Sequence, residues 1–150
     1  LRFFHQGQFE GRRKRISPHL VRAPAESVDG TLRQFYDGLL AALRQPVVRE
    51  GQWRLLQCAP AWDGNWTSDC FIAWSWEAQD GQRRLIAVNY AGNQSQCYVR
   101  LPFPDLAGRT VRLKDLMGPA SYDRDGDDLV SRGLYLDLPP WSYHVFEMTA

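Results

Sequence analysis

The chain has 150 residues, the usual size of one domain and enough to bury a core without staples. Hydrophobic residues make up 44% and charged residues 23%, which excludes a disordered tail, and no apolar run reaches the ~18 residues of a membrane span. Eighteen basic residues against 17 acidic ones leave a net charge of +1, without the basic excess of an electrostatic nucleic-acid binder.

The chain opens on Leu1, with no basic-then-apolar leader behind it, and reads as a processed product or a piece of something longer. Residues 1–4 form a short apolar run, followed by His5 and by Gln6, Gly7 and Gln8. Residues 9–30 have loop composition, with Gly11, Pro18, Pro24 and the turn pair Asp29-Gly30. The basic run Arg12-Arg13-Lys14-Arg15 inside it is read as a solvated or locally paired loop, because the chain as a whole carries so little net charge. The spacing then predicts a helix over 31–44. Leu32, Phe35, Tyr36, Leu39, Leu40 and Leu43 fall at i, i+3, i+4, i+7, i+8 and i+11, one apolar stripe. Thr31 with Gln34 reads as its capping box, and Pro46 closes the segment. Such a stripe needs a surface to cover it.

From Gln52 the period shifts from 3.6 to 2, and strands are predicted over 53–58, 70–77, 84–90, 95–101, 110–113, 133–138 and 141–148. Ile72, Trp74 and Trp76 fall on one face of their strand, with Phe71, Ala73 and Ser75 on the other. Leu134, Leu136 and Leu138 alternate with Tyr135 and Asp137. Asp80-Gly81 and Gly92-Asn93 lie between neighbouring runs and read as hairpin turns. Seven short strands with this punctuation predict a mainly β chain, an antiparallel β-sandwich of Greek-key type.

Motifs for catalysis are missing. There is no G-x-S-x-G elbow, no G-x-x-x-x-G-K and no G-x-G-x-x-G. His5, His19 and His144 have no diagnostic neighbours and read as surface or packing histidines. The acidic segment Asp123-Arg124-Asp125-Gly126-Asp127-Asp128 alternates carboxylates as calcium loops do. It lacks the position-6 Gly and position-12 Glu of the EF-hand pattern, so a plain turn is the simpler reading. No cofactor and no metal are expected. Cys58, Cys70 and Cys97 cannot all pair and show no C-x-x-C spacing, so they read as thiols of a reducing, cytoplasmic compartment, with one disulfide as the alternative. Two N-x-S/T triplets, at Asn65 and Asn93, mean something only in a secreted protein.

Aromatic content stands out, with six Trp, six Tyr and seven Phe. Trp62 and Trp66 sit in a loop with Asp63 and Asn65 between them. Exposed indole faces stack on the apolar faces of sugar rings, while neighbouring polar groups take the hydroxyls. The bland alternative is that both rings fold back as a lid on the core or pack on another domain. Trp74, Trp76 and Trp141 fall in predicted strands and read as core or inter-domain packing.

Taken together, these residues resemble the C-terminal end of a glycoside hydrolase of the alpha-amylase family, over essentially the whole chain. Residues 1–13 (LRFFHQGQFEGRR) resemble the last strand of the family's (β/α)8 barrel and the loop after it, and the helix 31–44 is similar to the final barrel helix. The stretches 51–56 (GQWRLL), 85–90 (LIAVNY), 113–117 (LKDLM) and 133–141 (GLYLDLPPW) resemble the trailing sandwich. The resemblance implies a strand-loop-helix remnant of the barrel over 1–46 and the sandwich domain over 47–150. It implies an α-glucan as substrate of the parent enzyme and the N-terminal barrel of the same chain as partner. The family's catalytic Asp, Glu and Asp lie on earlier barrel strands, so no catalytic residue is carried over. His5, Gln8 and Glu10 would lie near the barrel's catalytic mouth, where they would line a sugar subsite or, more commonly, form a purely structural loop. A barrel-facing surface left bare would favour dimers of the isolated chain. Neither nucleic acid nor membrane is expected as a partner.

Overall fold

Apolar residues at every second position give strands with two distinct faces, and the faces decide how the sheets pack. The computed structural model describes residues 3–5, 7–14, 17, 19, 21–22 and 24–150. They divide into two compact units, Leu1–Ala42 and Leu43–Ala150. No helix among them is long and apolar enough to cross a membrane.

In the first unit, residues 7–11 form a turn, and helix α1, Gly30–Arg44, has all but its last two residues there. The helix cap is Asp29, not Thr31. The Asp29 Oδ1 accepts the Leu32 N–H at 3.0 Å, and its carbonyl accepts the Arg33 N–H at 2.9 Å. Asp outranks Thr at this position, and with the cap two residues earlier the helix starts at Gly30. The strand expected at the start falls partly on residues that are not described. Leu1 and Arg2 lie outside the described residues, and Phe3, Phe4 and His5 adopt no regular structure. Gly11 has φ of +68°, and a Cβ there would meet Asp29 and Leu32 at 3.1 Å, so only glycine lets the turn approach the helix start. Phe4, Phe9 and Tyr36 form a small cluster with ring centroids 4.9 to 6.2 Å apart. The six stripe residues of α1 are at best half-buried, and its one buried residue is Ala42.

The second unit opens with a short helix α2, Pro46–Glu50, and then turns to strands. These are β1 (Gln52–Leu56), β2 (Cys58–Ala59), β3 (Phe71–Glu77), β4 (Arg83–Asn89), β5 (Ser95–Val99), β6 (Thr110–Asp115) and β7 (Ser121–Asp125). A short helix α3 (Gly126–Ser131), β8 (Leu134–Leu138) and β9 (Tyr143–Thr149) follow. They build two antiparallel sheets, six-stranded in the order β1-β3-β4-β9-β6-β7 and three-stranded in the order β2-β5-β8. The chain is mainly β, as its alternation predicts. Phe71, Ala73, Leu85, Ala87, Val111, Leu113, Phe146 and Met148 of the large sheet share one core with Cys97, Val99, Leu134, Leu136 and Leu138 of the small one.

Asp80-Gly81 is a hairpin turn, joining the paired strands β3 and β4. Gly92-Asn93 is not. It carries the chain from β4 in one sheet to β5 in the other. Asn-Gly-type chemistry reports a tight bend, and a bend serves a crossing between layers as well as a hairpin.

The outward face of the large sheet is divided. Across β1, β3, β4 and β9 the register places Trp53 beside Trp76, then Leu55, Trp74, Ile86 and Val145 in one row, and Ile72, Val88 and Tyr143 in the next. Trp74 and Trp76 meet edge to face at 6.2 Å. Across β6 and β7 the same face is ionic, with Arg112 on Asp123 at 2.9 Å. Between the halves lies Arg84, only 5% exposed. It pairs with Glu147 at 2.7 Å and donates to the Gln45 side chain at 2.6 Å. Helix α2 lies against β3 and β4, with Val47 and Val48 buried. A Cβ on Gly51 would come within 2.2 Å of the Val47 carbonyl and 3.0 Å of that of Glu77, so glycine is what lets the helix hand over to β1.

Candidate functional site

The loop between β2 and β3 is built around Asn65. Its side-chain oxygen accepts the Ala61 N–H at 3.2 Å, its amide donates to the Thr67 hydroxyl at 2.8 Å, and its backbone N–H bonds to the Trp62 carbonyl. The Thr67 hydroxyl in turn accepts the Gln96 N–H of β5 at 3.1 Å. Asn65 is 5% exposed, so the loop is anchored to the small sheet by a buried amide. Gly64 takes φ of +79° at its tip, and residues 66–70 close as a 3₁₀ turn. Anchoring leaves the two indoles outside. Trp62 is 54% and Trp66 67% exposed, so neither folds back as a lid on the core. The N-x-T triplet here has its Asn buried and engaged.

Two neighbouring loops share this end of the sheets. The Tyr90 N–H bonds to the Cys70 carbonyl at the end of the 3₁₀ turn, and the Trp141 N–H to the Ala91 carbonyl at 3.1 Å. Tyr90 and Trp141 meet edge to face with centroids 5.5 Å apart and are 68% and 63% exposed. Trp141 is not part of a strand, since β9 begins at Tyr143. The double proline before it and its φ of +55° turn it out of the sheet. Sequence reasoning missed this pair. Its signal was Pro139-Pro140 ahead of the Trp, which argues against a strand starting there.

His5, Gln8 and Glu10 all lie in the first unit, whereas the Trp loop lies in the second. The Gln8 amide donates to the Tyr36 hydroxyl at 2.7 Å, and its oxygen accepts the His5 N–H at 3.2 Å. Glu10 pairs with Arg33 at 3.3 Å, and its carbonyl accepts the Asp29 N–H. Gln8 and Glu10 therefore tie the turn to α1, and His5 is exposed. In the basic run, the Glu26 carboxylate accepts the Arg13 and Lys14 N–H groups at 3.0 and 3.3 Å. Those backbone bonds, led by Arg13, hold it below the ordinary carboxylate value.

The acidic segment is dismantled by the fold. Asp123 sits in the middle of β7 and pairs with Arg112, whose hydrogen bond lowers its pKa. Asp125 caps α3 by accepting the Asp128 N–H at 3.0 Å, and Asp127 accepts the Gly108 N–H at 2.9 Å. Among the described residues, no three His, Cys, Asp or Glu side chains converge as ligands would. Asp115 is buried at 6% exposure, accepts the Met117 and Val145 N–H groups at 3.0 and 3.2 Å, and lies 2.7 Å from the His144 Nδ1. That ring also stacks on Phe146 at 4.6 Å, so His144 is a packing histidine. The three cysteines are free. Cys97 touches Cys58 from a fully buried position, and that contact with burial pushes its thiol far up, away from nucleophilic use.

No family model matches the sequence, and no curated protein matches it. Solved structures of a trehalulose synthase are similar to it. The trehalulose synthase MutB from Pseudomonas mesoacidophila MX-45 matches at 18% identity with a TM-score of 0.47, over 79% of this chain and 18% of that chain. An inactive double mutant of MutB in complex with isomaltulose matches at 20% identity, with the same coverage and TM-score. The chain thus spans 18% of the length of the chains it matches.

Proposed function

We propose that this chain is the C-terminal part of an alpha-amylase-like glycoside hydrolase acting on α-glucans, and that it is non-catalytic and stabilises the enzyme's barrel. One observation carries the reading. The β1-β3-β4-β9 half of the large sheet is apolar on both sides, whereas an antiparallel sheet with one face in water alternates apolar-in and polar-out. Trp53, Leu55 and Ile72 are 55%, 61% and 47% exposed on that outward face. A contiguous patch of this kind marks a surface that another body covers. The family resemblance in the sequence supplies the body, a barrel preceding the sandwich in the same chain. The test uses the 150-residue chain by light scattering and thermal melts. It should self-associate, and Trp53→Gln with Leu55→Gln should suppress association without lowering the melting temperature. A monodisperse chain that the double substitution destabilises would refute the reading. Incubation with maltooligosaccharides should release no reducing sugar, and release above a buffer control would overturn the non-catalytic role.

A second reading is favoured by the exposure of Trp62 and Trp66 on a loop stiffened by Asn65: a carbohydrate-binding module that holds α-glucan on those rings. Replacing both with Ala should weaken retardation in an amylose gel about tenfold. Unchanged mobility would sink it.

A further inference from the structure

We propose that Tyr90 and Trp141 form a stacking platform for a neutral glycan chain, built from other residues than the Trp62 and Trp66 loop. Three observations meet there. Both rings are more than 60% exposed yet fixed against each other at 5.5 Å, so they present two apolar walls at a right angle. Their loops are tied together by Asn89, which is fully buried and whose amide reaches the carbonyls of Asn93, Leu138 and Pro139 within 3.1 Å. The Oδ1 of Asn89 is buried with no partner, so the residue is kept for what its amide holds in place.

The third observation is the backbone of Trp141. At φ +55° it occupies the left-handed region that bulky side chains avoid. Strain of this kind persists where the surroundings impose it and is concentrated at binding sites. A glycine would satisfy the turn at no steric cost, so the indole is there for its surface and not for the bend.

Charge selects the occupant. Residues 88–95 and 138–143 contain no Asp, Glu, Lys or Arg. Asp137, beside this segment, accepts the Gln94 amide. Amide, hydroxyl and carbonyl groups around two indole and phenol faces suit a ligand with apolar ring faces and uncharged hydroxyls. That an α-glucan is the glycan rests on the glycoside hydrolase reading above; the stacking and the neutrality do not.

The experiment is affinity electrophoresis of the 150-residue chain through gels containing amylose or hydroxyethylcellulose, with a thermal melt of each variant. Trp141→Gly removes the ring and relieves the φ at once. It should weaken retardation about tenfold while the melting temperature stays level or rises. Tyr90→Ala should weaken retardation similarly. Retardation by amylose that depends on Trp141 supports the platform and the glucan assignment together. Trp141-dependent retardation by hydroxyethylcellulose alone supports the platform and overturns the α-glucan reading. Retardation in neither gel, or a Trp141→Gly variant that keeps its mobility whatever its melting temperature, overturns the platform.

Discussion

Replacing Asp115 with Ala should cost the fold about 3–4 kcal/mol, and replacing it with Asn about half of that. The carboxylate sits where β6 ends. One oxygen accepts the Met117 and Val145 N–H groups, and the other holds the His144 ring at 2.7 Å. Its side chain is 5% exposed, so solvent does little to replace these partners. Ala orphans two backbone donors, each worth roughly 1–3 kcal/mol when left buried and unpaired, and frees the imidazole as well. Asn keeps a carbonyl for the two N–H groups and loses only the carboxylate oxygen that faces His144. Urea melts followed by tryptophan fluorescence read both values, with the slope checked for constancy so that the midpoint shift reports stability alone. A loss below about 1 kcal/mol for Ala, or equal losses for Ala and Asn, would refute the reasoning, because either result means water satisfies the site.

Two more outcomes are expected. Glu147→Gln should destabilise by about 3 kcal/mol, since Arg84 is left as a buried charge without its carboxylate; replacing Arg84 and Glu147 together with apolar residues should recover most of that, read by the same melts. Asp105 is held below its ordinary value chiefly by the hydrogen bond from Arg83. A depressed carboxylate pKa adds stability that is present above the unfolded value, near ~3.9, and is lost as pH falls below it. Acid unfolding of Asp105→Asn should therefore be shallower than that of the parent between about pH 4 and pH 2.

Most of the second unit was legible because its strands alternate. In β8 every second residue from Leu134 to Leu138 is buried, and Tyr135 and Asp137 are out. β7 was not legible: all five of its residues are exposed, so no alternation marks it, and it holds its place through its pairing with β6 and the Arg112–Asp123 ion pair. Its carboxylates run on into α3, and the sequence Asp-Arg-Asp-Gly-Asp-Asp looks alike whether it ends a strand, caps a helix or circles an ion. At the candidate site, the Trp62 and Trp66 loop could be named from composition, but its exposure could not, because that depends on Asn65 reaching Thr67 and Thr67 reaching Gln96 across 29 residues. Trp141 was misassigned for a related reason. An aromatic beside Tyr143 and Val145 satisfies strand propensity, and only the preceding prolines argue otherwise.

The large sheet ends in two unlike edges. β7, at one end of the strand order, carries Asp123, Arg124 and Asp125, a charged border that discourages further pairing. β1, at the other, is Gln-Trp-Arg-Leu-Leu with all but Leu56 exposed, and it offers a row of unused backbone groups. A sheet that can be extended at one side only does not seed a filament, since the second chain to arrive presents its own blocked border outward. Antiparallel pairing of β1 with β1 of another copy is isologous and closes on itself, so backbone-driven assembly through the large sheet stops at two.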